Sequence, residues 1–155
     1  MPHDRAHPHA RVLAAVYEDL TSLVRYADQG IVLHPATRAV GPRDPDVIGV
    51  AAVLAWERGL IRASGGTLRM DVADIVADDH FGAVLGTLRA RFPGGLCAQP
   101  FCGLWRFEDG RITEHWENIH DPARLAALTT PHTAGDGPRR TPSTERTYPD
   151  DLHHP

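Results

Sequence analysis

Lysine is absent: all 16 basic side chains in the 155 residues are arginine. Schiff-base chemistry through a lysine amine is thereby excluded, and so is a phosphate-binding loop of the GxxxxGK type. No GxGxxG run follows a strand-like segment, which removes the common dinucleotide fingerprint. Long apolar runs are lacking as well, since none approaches the roughly 20 residues that span a bilayer. The opening stretch, Met1 to Ala10, is polar and rich in His and Pro, unlike a signal peptide, so a cytoplasmic address is the default expectation. Cysteine is scarce: there are 2, Cys97 and Cys102. Their odd separation on a strand aims them at opposite faces, which argues against a disulfide. The spacing is not that of a metal site either, and both are expected to be ordinary thiols. With a net charge of −4 and no basic stripe, nucleic acid is not an expected partner.

What is present is a globular composition, 42% hydrophobic and 23% charged, in a length that suits one domain with a sizeable core. A polar arm is expected over residues 1–9. The packed domain is expected over 10–129, and a polar tail rich in Thr, Pro, Arg, Asp and His over 130–155. In that tail Tyr148 and Leu152 are the residues able to dock on the domain or on a second subunit. Helical periodicity runs over 10–26 through Val12, Leu13, Val16, Leu20, Leu23 and Val24, with Asp19 expected to split it. A strand is expected over 30–35. A helix capped by Asp46 is expected over 47–63, stopped by Gly65 and Gly66. Strands over 67–77, 82–92, 96–107 and 111–120 follow, the last pair joined by the Asp109-Gly110 hairpin signal. A short helix over 122–128 closes the domain. Helices followed by an antiparallel meander indicate an α+β fold.

Three segments carry a resemblance to a known family. They are YADQGIVLHP (26–35), GVAAVLAWERGL (49–60) and, most specifically, GLWRFEDGRITEHWENIHDP (103–122). Together and in this order they resemble the SnoaL-like, ketosteroid-isomerase-like members of the nuclear-transport-factor-like superfamily. The resemblance implies an α+β cone, with three N-terminal helices packed on a strongly curved, mostly antiparallel sheet around one apolar pocket. It implies that His115, Glu117, Ile119 and Asp121 on the last strand look into that pocket. Gln99, Phe101, Gly103, Trp105 and Phe107 do so from the strand before, Trp56 from the third helix and His34 from the end of the first strand.

His34 and Asp121 are the expected catalytic pair. His34 stands where ketosteroid isomerases carry their general base, and imidazole titrates near the working pH. The same residue could instead be a structural histidine bonded to backbone. Asp121 resembles the acid/base aspartate of the cyclases, yet Asp-Pro is also a good start to a helix. His115 and Glu117 could orient His34 or bind a substrate oxygen, or simply be wetted by an open cone. Gln99 could hold a carbonyl or hydroxyl, and Trp56, Phe101, Trp105 and Phe107 could form flat walls. The tyrosine and protonated aspartate of the isomerase oxyanion hole have no expected counterpart, since Arg11 or its neighbours and Gly103 stand there. His34, His115, Glu117 and Asp121 could in principle gather round a metal, but no compact ligand spacing supports it and no metal is expected.

The implied activity is cofactor-free acid/base catalysis, as an isomerase, cyclase or dehydratase. The substrate would be a small apolar oxygenated molecule such as a polyketide-like or terpenoid-like intermediate. The alternative is a non-catalytic small-ligand-binding or dimerisation domain of the same fold. A homodimer is expected through an apolar convex face around Trp116.

Overall fold

The computed structural model describes residues 6–40 and 45–130, so the expectations for residues 1–5 and for the tail with Tyr148 and Leu152 lie outside the described residues. Helix α1 (Pro8–Glu18) starts just before the expected domain boundary. Proline occupies its first turn, and the His9 backbone N–H donates to the His7 side chain at 3.1 Å. It buries Ala10, Leu13 and Val16, one stripe of the expected period. Asp19 does split the stretch: its carboxylate accepts from the Thr21 N–H at 3.0 Å and opens a 3₁₀ helix, Leu20–Arg25.

Strand β1 (Ala27–His34) follows, then β2 (Val47–Ile48) and helix α2 (Val50–Ala63). Asp46 does not cap α2, whose N-cap is Gly49 with no side-chain bond. The β-branched pair Val47-Ile48 instead adds antiparallel to β1, Leu33 facing Val47 and Val32 facing Ile48. That pairing takes the residues expected to begin the helix.

Strands β3 (Arg69–Ala77), β4 (Phe81–Phe92), β5 (Gly95–Glu108) and β6 (Arg111–Trp116) form the meander. The six-stranded sheet runs β2-β1-β6-β5-β4-β3, with β2 and β3 as open edges, so it curls without closing. Every pairing is antiparallel except β1 with β6, which is parallel. The β5–β6 turn is the expected one: Asp109 at φ 50° and Gly110 at φ 77° supply the left-handed pair that a two-residue hairpin needs. Helix α3 (Pro122–Thr129) is capped by Asp121, whose carboxylate accepts from the Arg124 N–H at 3.1 Å.

The helices fill the hollow of the sheet. α1 crosses β3 and β4, α2 lies on β1, and α3 on β5. The core gathers Leu13, Leu23, Ile31, Leu33, Val53, Val84, Trp105, Phe107 and Ile112. Each such side chain fully removed from water stabilises the fold by about 1.5–3 kcal/mol before entropy is counted. Cys97 and Cys102 are free thiols, one buried and the other half-buried, as their odd spacing requires. No described helix is long and apolar enough to cross a membrane.

Candidate active site

Strand alternation selects what looks inward. Along β5 the buried positions are Cys97, Gln99, Phe101, Gly103, Trp105 and Phe107. On β6 a register shift lies between the Arg106–Glu114 and Phe107–Ile112 pairs, leaving Thr113 without a partner, so Ile112 and His115 face the same way. His115 pairs with Trp105, and Glu117 and Ile119 follow on its side. Of the set that the resemblance implied, His115, Glu117 and Ile119 line the cavity and Asp121 does not.

These side chains meet helix residues around a cavity of about 60 Å³, lined among others by Tyr17, Glu57, Phe101, Trp105, His115 and Glu117. Its polar groups form one cluster. Glu57, on α2, is 5% exposed and His115 is 4% exposed. One ligand atom from each of Glu57, His115 and Glu117 lies within 4.8 Å of the others, and among the described residues no other such group of His, Cys, Asp or Glu exists.

Each member has a definable proton state. The His115 Nδ1 is 3.0 Å from the Leu104 carbonyl oxygen, which can only accept, so Nδ1 carries the hydrogen and Nε2 is an acceptor. Burial holds the ring neutral, lowering its pKa to about 3, and it lies flat on Trp105 with centroids 3.5 Å apart. Burial also raises the pKa of both carboxyls. Glu57 is raised further by the Glu117 charge. Glu117 is eased back by the Trp56 indole, which donates to Oε1 at 3.0 Å, by the Ala36 backbone N–H and by the Arg38 charge. Both carboxyls are pushed toward the protonated form, and Glu117, with the Trp56 indole donating to it, is the readier of the two to ionise.

Tyr17 completes the cluster. Its hydroxyl oxygen accepts from Trp105 Nε1 at 3.3 Å, which leaves the hydroxyl hydrogen free to donate, and burial raises its pKa so that it stays protonated. The ring stacks on Phe101 with centroids 5.7 Å apart. The position beside the hydroxyl is Gly103, where an added Cβ would collide with the Tyr17 oxygen. The first helix thus does supply a tyrosine donor, which the sequence reading did not expect.

His34 is placed elsewhere. Leu33 takes the inward position beside His115, so His34, paired with Trp116, must look outward. Its Nδ1 is 2.7 Å from Asp46 and its Nε2 is 2.6 Å from Glu114, with the ring stacked on Trp116. This corrects the expected orientation into the pocket. Asp121 is likewise outside the cavity, exposed at the start of α3, where it serves as the cap that was its other reading. The four-residue metal grouping with His34 and Asp121 is therefore not assembled. Gln99 is buried beneath α3, its Oε1 accepting from the Asp121 N–H at 2.7 Å, and it does not line the cavity. Trp56 lines a neighbouring groove rather than the cavity itself. Phe101, Trp105, His115 and Glu117 do line it.

Tyr17 and Glu57 were the residues missed. Both had a sequence signal, since Glu57 falls one turn from Val53 and Leu60 on the apolar stripe of α2, and Tyr17 one turn from Leu13 on α1.

Comparison with known proteins gives the same fold. Bal32a, from a soil-derived mobile gene cassette, is similar at a TM-score of 0.66 and 19% identity, over 77% of this chain and 92% of that one. TerC, co-crystallised with polyporic acid, gives 0.64 and 16%, over 80% and 100% of the chains. IdmH from Streptomyces antibioticus, a proposed polyketide cyclase, gives 0.60 and 23%, over 80% and 100%. At these identities the likeness establishes architecture alone. A search of curated proteins finds no match. The sequence pattern of the SnoaL-like domain matches residues 11–115, most of the cone from α1 to β6, and the chain belongs to the SnoaL-like domain family.

Proposed function

We propose that this protein is an acid/base enzyme of the isomerase, cyclase or dehydratase kind. Its own side chains would move the proton on a small apolar oxygenated molecule, such as a polyketide-like or terpenoid-like intermediate. The observation that carries the reading is the pairing of buried Glu57 with half-buried Glu117 in one largely apolar cavity that Tyr17 also lines. The roles expected of His34 and Asp121 pass to Glu117 and Glu57, which face the cavity as the first two do not.

In this reading the Glu117 carboxylate removes a proton from the carbon next to a carbonyl, and the C–H electron pair moves onto the carbonyl oxygen as an enolate. The Tyr17 hydroxyl donates a hydrogen bond to that oxygen, stabilising charge where it gathers. The Glu57 carboxyl returns a proton to another atom of the substrate. The proton on Glu117 then passes to Glu57, restoring the pair. Neutral His115 holds its Nε2 as an acceptor for a substrate hydroxyl. Dimerisation through the outer face of the sheet, where Val76, Phe81, Leu85 and Leu104 are exposed, belongs to the same proposal.

The test is deuterium uptake at the methyl group of acetophenone in D2O, followed by NMR. The protein is expected to accelerate uptake, and Glu117→Gln to lose about 10²- to 10⁴-fold of that acceleration while folding normally. Binding of the ketone with no acceleration anywhere from pH 5 to 9 would instead support the second reading, a domain that binds a small ligand without changing it.

A further inference from the structure

Two hollows meet at one carboxylate. Beside the cavity lies a more open groove of about 500 Å³ between α2 and α3. Ala36, Leu60, Glu117 and Leu125 line both. The cavity, at about 60 Å³, is too small for a ring, since roughly 150 Å³ is what an engineered cavity offers benzene. The groove has that room. Ala55, Gly59 and Ala63, each one turn of α2 from the next, leave its wall open, and Trp56 contributes a flat indole face.

The groove also has a charge preference. Among the described residues its lining contains no arginine, lysine or histidine, and Glu117 is the one acidic group. An anionic ligand would meet the Glu117 carboxylate at the inner end of this largely apolar lining. A carboxylate, phosphate or phosphorylated carrier is thereby disfavoured, and a neutral body is favoured.

We propose that the α2–α3 groove binds the body of the substrate, and that only a slim oxygenated arm passes Glu117 into the cavity. The ligand class is a neutral molecule with an apolar ring-sized body and a short carbonyl- or hydroxyl-bearing arm. Calling that ligand the substrate rests on the acid/base reading; the two-compartment site does not. Trp56 sits at the junction, its Nε1 holding Glu117 Oε1 at 3.0 Å, and fixes the carboxylate where the arm enters.

The test uses 2-acetylnaphthalene as the neutral probe and 2-naphthoate as its anionic counterpart, with binding read by NMR titration of the protein. Gly59→Leu supplies the block. An added Cβ at Gly59 meets only the end of the flexible Arg62 side chain, at 4.0 Å, and leaving glycine favours the helix; an unchanged circular dichroism spectrum and Tm are the expected check that the variant folds. The wild-type protein is expected to bind 2-acetylnaphthalene, with shifts on α2 and α3, at least tenfold more tightly than 2-naphthoate. Gly59→Leu is expected to weaken the neutral probe at least tenfold. Equal affinity for ketone and carboxylate, undiminished binding to Gly59→Leu, or no binding of the ketone would overturn the proposal. Methyl deuteration of 2-acetylnaphthalene by the wild-type protein separates the two claims. Binding in the groove without deuteration refutes the acid/base reading alone, and deuteration with binding unaffected by Gly59→Leu refutes the groove alone.

Discussion

His34 has a carboxylate oxygen at 2.7 Å from one ring nitrogen and another at 2.6 Å from the other. A neutral imidazole can donate from only one nitrogen, so two such contacts call for the imidazolium. Burial alone would lower the His34 pKa, but Glu114 and Asp46 outweigh it and the net shift is upward. The folded pKa thus lies above the unfolded value of about 6.5. The stabilisation is complete below that value and fades as pH rises through the folded pKa. In urea denaturation, His34→Ala is expected to lower stability clearly at pH 6 and much less at pH 9, while ketone deuteration per folded molecule stays within about twofold. A stability difference independent of pH would contradict the imidazolium, and a deuteration loss of 10²-fold would return His34 to the mechanism.

At the scale of elements, most of the architecture was legible. Asp19 breaking the first helix, Asp109-Gly110 turning the last hairpin and Asp121-Pro122 opening the last helix are local signals, and the chain obeys them. On β5 alternation divides the side chains into two sets, and the family resemblance was needed to say which of them looks inward. What was not legible came from other elements. Val47-Ile48 has strand character that only a free β1 edge can use. The side to which His34 points is fixed by the parallel register with β6, a partner more than seventy residues away. Glu57 is a charge on an apolar stripe, a signal local to α2, but only the packing of α2 against the sheet brings it to Glu117 and His115. The contact of α1 with β5 gives a further expectation. Gly103→Ala drives a methyl into the Tyr17 hydroxyl, so it should cost about 1–3 kcal/mol, seen as a lower Tm. Adding Tyr17→Phe removes the colliding oxygen and should recover part of that loss; strictly additive effects would place Tyr17 elsewhere.

For the whole molecule, a curled sheet with both edges open leaves two unlike faces. The inner one is filled by helices except for the small cavity and its groove. The outer one exposes Phe81 at 51% and Val76 at 58%, with Leu85 and Leu104 beside them. The proposed dimer covers that face. Sedimentation is expected to show a dimer that Leu85→Arg with Leu104→Arg converts to a monomer still able to bind 2-acetylnaphthalene. An unaltered dimer would move the interface off the sheet.

The enclosed side holds the central claim: two carboxyls in an apolar hollow cannot both ionise near neutrality, so one proton stays with the pair. Carbon-13 NMR of protein labelled at the glutamate side-chain carboxyl reads this directly. At pH 7 the Glu57 signal should be that of a protonated carboxyl and the Glu117 signal that of the more ionised partner, and Glu57→Gln should bring the Glu117 titration down toward acid pH. Two signals already ionised at pH 5, each indifferent to removal of the other, would contradict it.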